Sequence, residues 1–131
     1  MAVLTVDGVE YDLIHVTDLK RSFSVLDGPN TGRVMTGEMR RDIIGTYYNY
    51  SLGLVPDESA ESIAQYDALY DVLSAPDESH TIKVPYGQGY KEFLAYVTSG
   101  EDNLILRTEQ STKWDGLSVN FIAMSPERTP A

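Results

Sequence analysis

One segment of the chain, between Pro56 and Pro76, has the pattern of an amphipathic helix. Acidic and hydroxyl side chains at its start suit the positive end of a helix dipole, and Pro76 cannot continue a helix. Apolar side chains recur at spacings of three and four residues, at Ile63, Tyr66, Leu69, Tyr70 and Leu73. The sequence therefore predicts one helix over about residues 58 to 74, with an apolar face that packs across a sheet.

β-prone runs separated by turn residues precede this helix. Asp7-Gly8 divides two short runs and predicts an N-terminal hairpin. A further strand is predicted immediately before the turn residues 27 to 30. A long run rich in Ile, Thr and Tyr extends from Met35 to Leu54, and the alternate side chains from Ile44 to Leu52 share one face.

Four more β-prone runs follow the helix. Residues 80 to 87 predict a short strand, and residues 91 to 109 predict two strands around a turn at 100 to 103. The last run places Leu117, Val119, Phe121 and Ala123 on one face and ends before Pro126. Since neither an internal repeat nor a linker interrupts this order, we predict one mainly β domain over residues 1 to 125 and an extended or disordered tail over residues 126 to 131.

Composition narrows the classes of protein and of site. The chain has no cysteine, which excludes a disulfide framework and thiolate metal sites, and its two histidines are too few for a typical zinc cluster. No apolar run approaches the roughly 18 residues of a membrane helix, and no basic-then-apolar leader opens the sequence. The net charge of −10 disfavours binding to nucleic acid or anionic lipid. We therefore predict no cofactor, no membrane contact and no specific nucleic-acid partner.

The negative charge is concentrated in one segment. Residues 57 to 78 hold seven acidic side chains and no basic one, whereas the basic doublets Lys20-Arg21 and Arg40-Arg41 lie in predicted strands. A solvated helix face explains the acidic segment. The alternative is an electrostatic seam between copies of the chain, in which Arg40 and Arg41 of one subunit approach Asp67 or Asp71 of another.

No catalytic signature emerges from the sequence. The G-x-S-x-G, H-E-x-x-H and phosphate-loop patterns are absent, so we predict that the protein is not an enzyme. His80 and His15 fit structural roles better than a hydrolase site. Residues 27 to 32 lack the later acidic positions of a calcium loop, and the glycines within residues 86 to 90 suit a hairpin or bulge. We therefore predict neither a catalytic site nor a metal site.

Three tyrosines, Tyr47, Tyr48 and Tyr50, crowd one β-prone run. Since successive side chains of a strand point to opposite faces, Tyr47 cannot share a flat sugar-stacking platform with the other two. Tyr48 and Tyr50 can pack inward. Tyr47, an aromatic residue with a polar tip, suits a subunit interface, and packing beneath a loop is the alternative.

Four stretches resemble small structural proteins from the tail modules of phages and prophages of Gram-positive bacteria: LKRSFSVLDGPNTGR, GEMRRDIIGTYYNY, YDALYDVLSAPDESHTI and WDGLSVNFIAMSPER. The order of strands, one helix, a hairpin and a closing strand also resembles the fold shared by tail-tube proteins, distal tail proteins and baseplate hub domains. The resemblance covers nearly the whole chain, and its motifs are structural. It implies a β-sandwich or split β-barrel of tail-tube type, flanked by the helix, over residues 1 to 125.

The same resemblance implies a biological role. It implies a virion structural protein of the tail or baseplate, a tube or adaptor component, that is assembled in the host cytoplasm. Its partners would be copies of itself in a ring, for which a hexamer is one candidate, and neighbouring tail or baseplate proteins, with DNA passing through an acidic lumen. Residues 37 to 54 and 24 to 35 would form the two arms of a long hairpin that joins a neighbour's sheet. The candidate interface residues are Lys20, Arg21, Arg40, Arg41, Tyr47, Asp67 and Asp71.

A second hypothesis belongs to a different class of protein. In it the chain is a monomeric β-sandwich that binds carbohydrate through Trp114, Tyr86 and Tyr90. These aromatic residues lie near predicted turns, where exposed rings can stack on sugars. A core position beside a turn is the alternative for Trp114.

Overall fold

The computed structural model of the protein describes residues 4 to 130. Residues 1 to 3 of the predicted domain and residue 131 of the predicted tail lie outside the described residues. Within them the chain forms one helix, α1, over Ala60–Ser74. The strands, numbered in chain order, are β1 Thr5–Val6, β2 Val9–Glu10, β3 Ile14–Asp27, β4 Gly32–Arg33, β5 Met39–Arg40, β6 Ile43–Pro56, β7 His80–Tyr86, β8 Gly89–Tyr96, β9 Gly100–Arg107 and β10 Thr112–Ala123.

Eight of the strands form one antiparallel sheet in the order β2-β1-β7-β8-β10-β6-β3. β9 also pairs with β10, along residues 112 to 119, whereas β8 pairs with its last residues, Ile122 and Ala123. β4 and β5 form a separate two-stranded sheet. The prediction of a mainly β fold with one helix is confirmed, and the sheet is not closed into a barrel.

The short hairpins follow the turn chemistry of the sequence. Asp7 and Gly8 have φ angles of 52° and 83°, as a type I′ turn requires, and they join β1 to β2. Gly87 has a φ angle of 57° and lies in the turn between β7 and β8, where Tyr86 pairs with Gly89. The hairpins predicted at these two places are confirmed.

β3 and β6 form one long antiparallel hairpin. Its register runs from Ile14 opposite Pro56 to Asp27 opposite Ile43. A long hairpin is therefore present as predicted, but its first strand is Ile14–Asp27 and not residues 24 to 35, and β6 begins at Ile43 and not near Met35. The chain turns between Val34 and Glu38 instead, through Gly37, which has a φ angle of 87°.

The turn predicted at residues 100 to 103 is wrong. These residues belong to β9, in which Glu101 pairs with Ser118 and Asn103 with Asp115. β8 and β9 both run antiparallel to β10, so the chain continues in the same direction through residues 97 to 99. β8 and β9 do not pair with each other, because they follow one another along β10 and hydrogen-bond to different residues of it. The polar side chains of residues 100 to 103 suggest a turn in the sequence. In the structure they lie on β9, an exposed edge strand, where such side chains remain in water.

The helix is close to its predicted position, and its predicted buried stripe is confirmed at Tyr66, Leu69 and Leu73 but not at Tyr70. Ser59 is the N-cap, and its side chain accepts a hydrogen bond from the Ser62 backbone N–H. The fully buried side chains of α1 are Ser62, Tyr66, Leu69 and Leu73. Tyr70, predicted to lie on the apolar face, is 38% exposed because it lies about 100° around the helix from Leu69.

The core lies between α1 and the concave face of the sheet. α1 packs across β6, β10 and β3. The alternation predicted for β10 is confirmed, since Leu117, Val119, Phe121 and Ala123 are all buried. β6 contributes Tyr50, Leu52 and Leu54 to the same cluster. One apolar core therefore connects both halves of the chain.

Ser62 connects the helix to Leu13, which is distant in the sequence, and to Asp57, which lies just before the helix. Its buried hydroxyl donates to the Leu13 carbonyl oxygen at 2.6 Å and accepts from the Asp57 backbone N–H at 2.9 Å. Replacing it with alanine leaves both backbone groups without their partner. A buried polar group that loses its hydrogen bond costs about 1 to 3 kcal/mol.

We therefore predict that Ser62→Ala lowers the free energy of unfolding by about 1 to 3 kcal/mol. Ser74→Ala is the matched control, because the exposed Ser74 hydroxyl donates only to Asp71 O, at 3.3 Å within its own helix. The control should stay within about 0.5 kcal/mol of wild type. Urea denaturation measures both, and equal stabilities of the two variants would contradict the role of Ser62.

His80 has a structural role, as predicted. Its buried ring lies beside the first hairpin, with Nδ1 2.8 Å from Asp7 Oδ2, while the Thr81 N–H donates to Asp7 Oδ1 at 2.9 Å. Burial raises the pKa of the Asp7 carboxyl, but the hydrogen bonds from His80 and Thr81 outweigh it, and the pKa lies below its usual range. His15 is exposed, with Nε2 3.7 Å from Asp57 Oδ2.

A pH-dependent stability follows from the lowered pKa of Asp7. The carboxylate stabilises the fold above its unfolded-state pKa of about 3.9, and this contribution is lost as the pH falls through the lower folded-state pKa. Asp7→Asn keeps a residue that tolerates positive φ but removes the charge. We predict a loss of up to about 1 kcal/mol at pH 7 that shrinks below about pH 4. Urea denaturation from pH 3 to 7 measures it, and a pH-independent difference would contradict the assignment.

Candidate functional site

The β3–β6 hairpin at one end of the open sheet approaches β7 through side chains. Tyr50, on β6, donates its hydroxyl to the Pro85 carbonyl oxygen of β7 at 2.8 Å. The Tyr48 and Tyr86 rings meet edge to face, with centroids 5.4 Å apart, and the Arg21 guanidinium on β3 lies 5.5 Å from the Tyr86 centroid. The β3–β6 hairpin and the end of the β7–β8 hairpin therefore face each other without a backbone ladder between them.

A groove of about 490 Å³ lies along this junction. We call it the basic–aromatic groove and define it by three cations and three aromatic rings: Arg21, Lys91, Arg128, Phe23, Tyr48 and Tyr86. Lys91 Nζ lies 5.1 Å from the centroids of both tyrosine rings. Phe23 is 70% exposed and gives the groove an apolar wall. In a chain of net charge −10, this surface concentrates positive charge.

Hydrogen bonds order the two tyrosine hydroxyls. Tyr86 donates to the Tyr48 hydroxyl at 3.3 Å. This bond and a second one from Arg128 lower the pKa of Tyr48, because both stabilise its anion. The same bond raises the pKa of Tyr86, because an ionised Tyr86 could no longer donate it. Tyr48 is therefore the acceptor at the centre of the groove.

The C-terminal segment brings Arg128 to the groove. Beyond β10 the chain returns along β6, where the Thr46 N–H donates to Arg128 O at 2.8 Å and the Glu127 N–H donates to Thr46 O at 2.9 Å. The neighbouring Gly45 makes this approach possible. A Cβ at position 45 would lie 2.5 Å from Pro126 Cβ and 2.6 Å from Arg128 O.

This arrangement suits the binding of an anionic group on another molecule. An entering carboxylate would meet Arg21 and Arg128, neither of which forms an ion pair within residues 4 to 130. Lys91 is already 4.0 Å from Glu127. The Tyr86 ring holds the Arg21 guanidinium by cation–π contact, and Arg128 is held by its hydrogen bond to the Tyr48 hydroxyl. The groove is open to solvent, so that side chains of a second protein can reach it.

The predicted interface residues lie in four separate places. Arg21 lines the groove, and Lys20 is its exposed neighbour on β3. Arg41 is held by Asp27, with Nη2 2.9 Å from Oδ1, and Arg40 lies 3.8 Å from Glu38. Arg41 therefore already has a partner within its own chain.

Tyr47 is half-buried and packs against the core cluster. Tyr50 is fully buried and Tyr48 is half-buried, as inward packing predicts. The interface role of Tyr47 stays a prediction.

Asp67 and Asp71 lie together on the exposed side of α1. With Asp102 of β9 they form what we call the acidic face, beside Tyr70 and Trp114, around a depression of about 270 Å³. Burial, followed by the charges of Asp71 and Asp102, raises the pKa of Asp67. In the described part of the chain no basic side chain forms an ion pair with these three carboxylates.

The aromatic residues of the carbohydrate hypothesis do not form one platform. Trp114 is 38% exposed beside the acidic face, whereas Tyr86 lines the groove. Tyr86 contacts Tyr48, which precedes Asn49, the residue paired with Ile122 of β10. Trp114 precedes Ile122 by eight residues, about 25 Å along a strand. Tyr90 is 39% exposed at the end of the β7–β8 hairpin, with Lys83 Nζ 5.5 Å from its ring centroid.

Residues 4 to 130 were searched for groups of side chains that could hold a metal ion and for helices that could cross a membrane. These residues include no group of three or more His, Cys, Asp or Glu side chains placed to hold a metal ion. None of their helices has the length and apolar character needed to cross a membrane. Comparison with models of known protein families and with curated proteins found no match to this chain.

Gly45 offers a test of how the groove is assembled. We predict that Gly45→Val displaces the C-terminal segment and increases the rate of tryptic cleavage after Arg128 roughly tenfold, because the segment then opens more often. Gly32→Val is the control, since a Cβ at position 32 meets no atom within 4 Å. Mass spectrometry of a timed digest measures the released C-terminal peptide. Equal cleavage rates in both variants would show that Gly45 does not position this segment.

Proposed function

We propose that the protein is a structural subunit of a phage tail or baseplate, which assembles with copies of itself into a ring or tube around the DNA channel. In this proposal it acts as a tube or adaptor component in the virion, its fold is a β-sandwich or split β-barrel of tail-tube type, and neighbouring tail or baseplate proteins are its further partners. The observation that supports the proposal is the projecting end of the β3–β6 hairpin.

We call this projection, residues 22 to 48, the arm. β10 pairs with β6 only between Leu54 and Asn49, so the hairpin continues past the sheet beyond that point. The large apolar side chains of the arm that remain exposed are Phe23, Leu26, Val34, Met35, Met39, Ile43 and Ile44. Such a concentration of exposed apolar side chains in one segment is typical of a protein interface.

The pairing of β3 adds to the argument. β3 is fourteen residues long and lies at the end of the sheet, with β6 as its one partner strand among the described residues. Its other edge can therefore accept a strand from a neighbouring chain. The arm of one subunit and the β3 edge of the next are different surfaces, so they form a heterologous contact, which closes into a ring or extends into a tube.

Light scattering and electron microscopy test this proposal on the purified chain. A ring-sized particle or long tubes would support a tail component. A monomer at every concentration and in the presence of isolated tail tubes or baseplates would contradict it. Salt dependence of the assembly would indicate that charged surfaces contribute.

The arm itself is tested by placing a charge on its apolar surface. We predict that Leu26→Lys and Ile44→Lys each weaken self-association about tenfold or more, because burying a leucine or isoleucine contributes about 1.5 to 3 kcal/mol. Leu94→Lys is the matched control, since Leu94 is similarly exposed but lies on β8. Sedimentation equilibrium measures the association constants. The role of the arm would be wrong if the control weakened assembly as much as the arm variants.

A further inference from the structure

We propose that the basic–aromatic groove of one copy binds the acidic face of a second copy. This inference deepens the proposed function and rests on it for the assembly of like subunits. It assigns the electrostatic contact between subunits to Arg21, Lys91 and Arg128, and not to the arginine doublet of residues 40 and 41.

The charges of the two surfaces are complementary, and most of them have no ion-pair partner in their own chain. Arg21 and Arg128 have no carboxylate partner within residues 4 to 130, and the three carboxylates of the acidic face have no basic partner there. Mutual repulsion among Asp67, Asp71 and Asp102 is relieved when a cation approaches. A second copy supplies such cations without any further component.

The shapes and chemical groups also correspond. Asp67 and Asp71 are four residues apart on α1, which places their Cβ atoms about 5 to 6 Å apart on one exposed side of the helix. The exposed ring of Tyr70 lies beside them. The groove offers two arginines for the carboxylates and the exposed face of Phe23 for an aromatic ring.

A single copy cannot make this contact with itself. The acidic face adjoins Trp114, and the groove lies about 25 Å away along β10, beyond Ile122. The contact therefore joins different surfaces of two copies and is heterologous, as a ring or tube requires. Arg41 is a poorer candidate for it, because Asp27 already accepts two of its N–H groups.

Reciprocal charge reversal tests the contact. The first variant, Arg21→Glu/Arg128→Glu, gives the groove negative charge, and the second, Asp67→Lys/Asp71→Lys, gives the acidic face positive charge. Each variant alone brings like charges together, so its self-association should weaken roughly tenfold or more at low salt. An equimolar mixture restores opposite charges at every alternating contact, and association should return to about the wild-type level.

Lys83→Glu/Arg107→Glu is the matched control for the groove variant. It makes the same change in net charge on β7 and β9, at residues that line neither the groove nor the acidic face. Circular dichroism checks that each variant folds, and sedimentation measures association of each variant alone and of the mixture. Failure of the mixture to recover, or equal weakening by the control, would overturn the contact.

The arm variants, measured beside these, separate the two proposals. Loss of assembly in the arm variants with no effect of charge reversal would leave the tail role standing and overturn the groove contact. Recovery in the charge-reversed mixture with no effect of the arm variants would support the contact and remove the arm. A wild-type chain that stays monomeric even with tail structures would contradict the tail role, and a charge-reversed mixture that stays monomeric would overturn the contact.

Discussion

The pairing of β6 with strands on both of its edges is the constraint on which the rest of the structure depends. β10 occupies one edge and β3 the other, while Tyr50, Leu52 and Leu54 fill the core between them. β10 ends near Asn49 of β6, whereas β6 extends back to Ile43, and this difference leaves the end of the β3–β6 hairpin to form the arm. It also leaves a stretch of β6 at Thr46 that the C-terminal segment covers. The groove exists because that segment delivers Arg128 beside Tyr48.

Incomplete closure of the sheet explains why a groove lies at this junction. A closed barrel would join the β3–β6 and β7–β8 hairpins by backbone hydrogen bonds and leave no space between them. Here Tyr50, Tyr86 and Arg21 span the gap with side chains. Side chains need more room than a ladder, and the room they leave is the groove. The same opening leaves β3 with an unpaired edge, so both features proposed for assembly have one structural origin.

Local rules predicted the elements whose signals lie within a few neighbouring residues. The Asp7-Gly8 hairpin, the alternation of β10 and the cap and stop of α1 belong to this group, because turn chemistry and periodicity act over short distances. Features that depend on distant residues were missed. The burial of Ser62 follows from its contact with Leu13, and the strand at Glu101 follows from pairing with β10.

The candidate site shows the same division. Arg21 and the tyrosines of β6 were singled out from the sequence, but Lys91 and Arg128 were not, because nothing near them in the chain indicates that they meet. Their meeting depends on the curl of the whole sheet and on the space at Gly45. The charge segregation could be seen in the sequence, yet its basic partner could not be located, because Arg41 turns toward Asp27 only in the folded hairpin.

The charges along β3 bear on how an open edge is tolerated. An unpaired strand of this length is a template for indiscriminate pairing, and charged side chains on an edge suppress it. Lys20 and Arg21 are exposed on β3, and its ladder is irregular between Val16 and Asp18. In the proposed assembly, a neighbour would therefore have to offer complementary charge as well as a strand. The groove cations would then contribute to the choice of neighbour as much as to the affinity for it. A contact through the arm alone would accept any apolar surface.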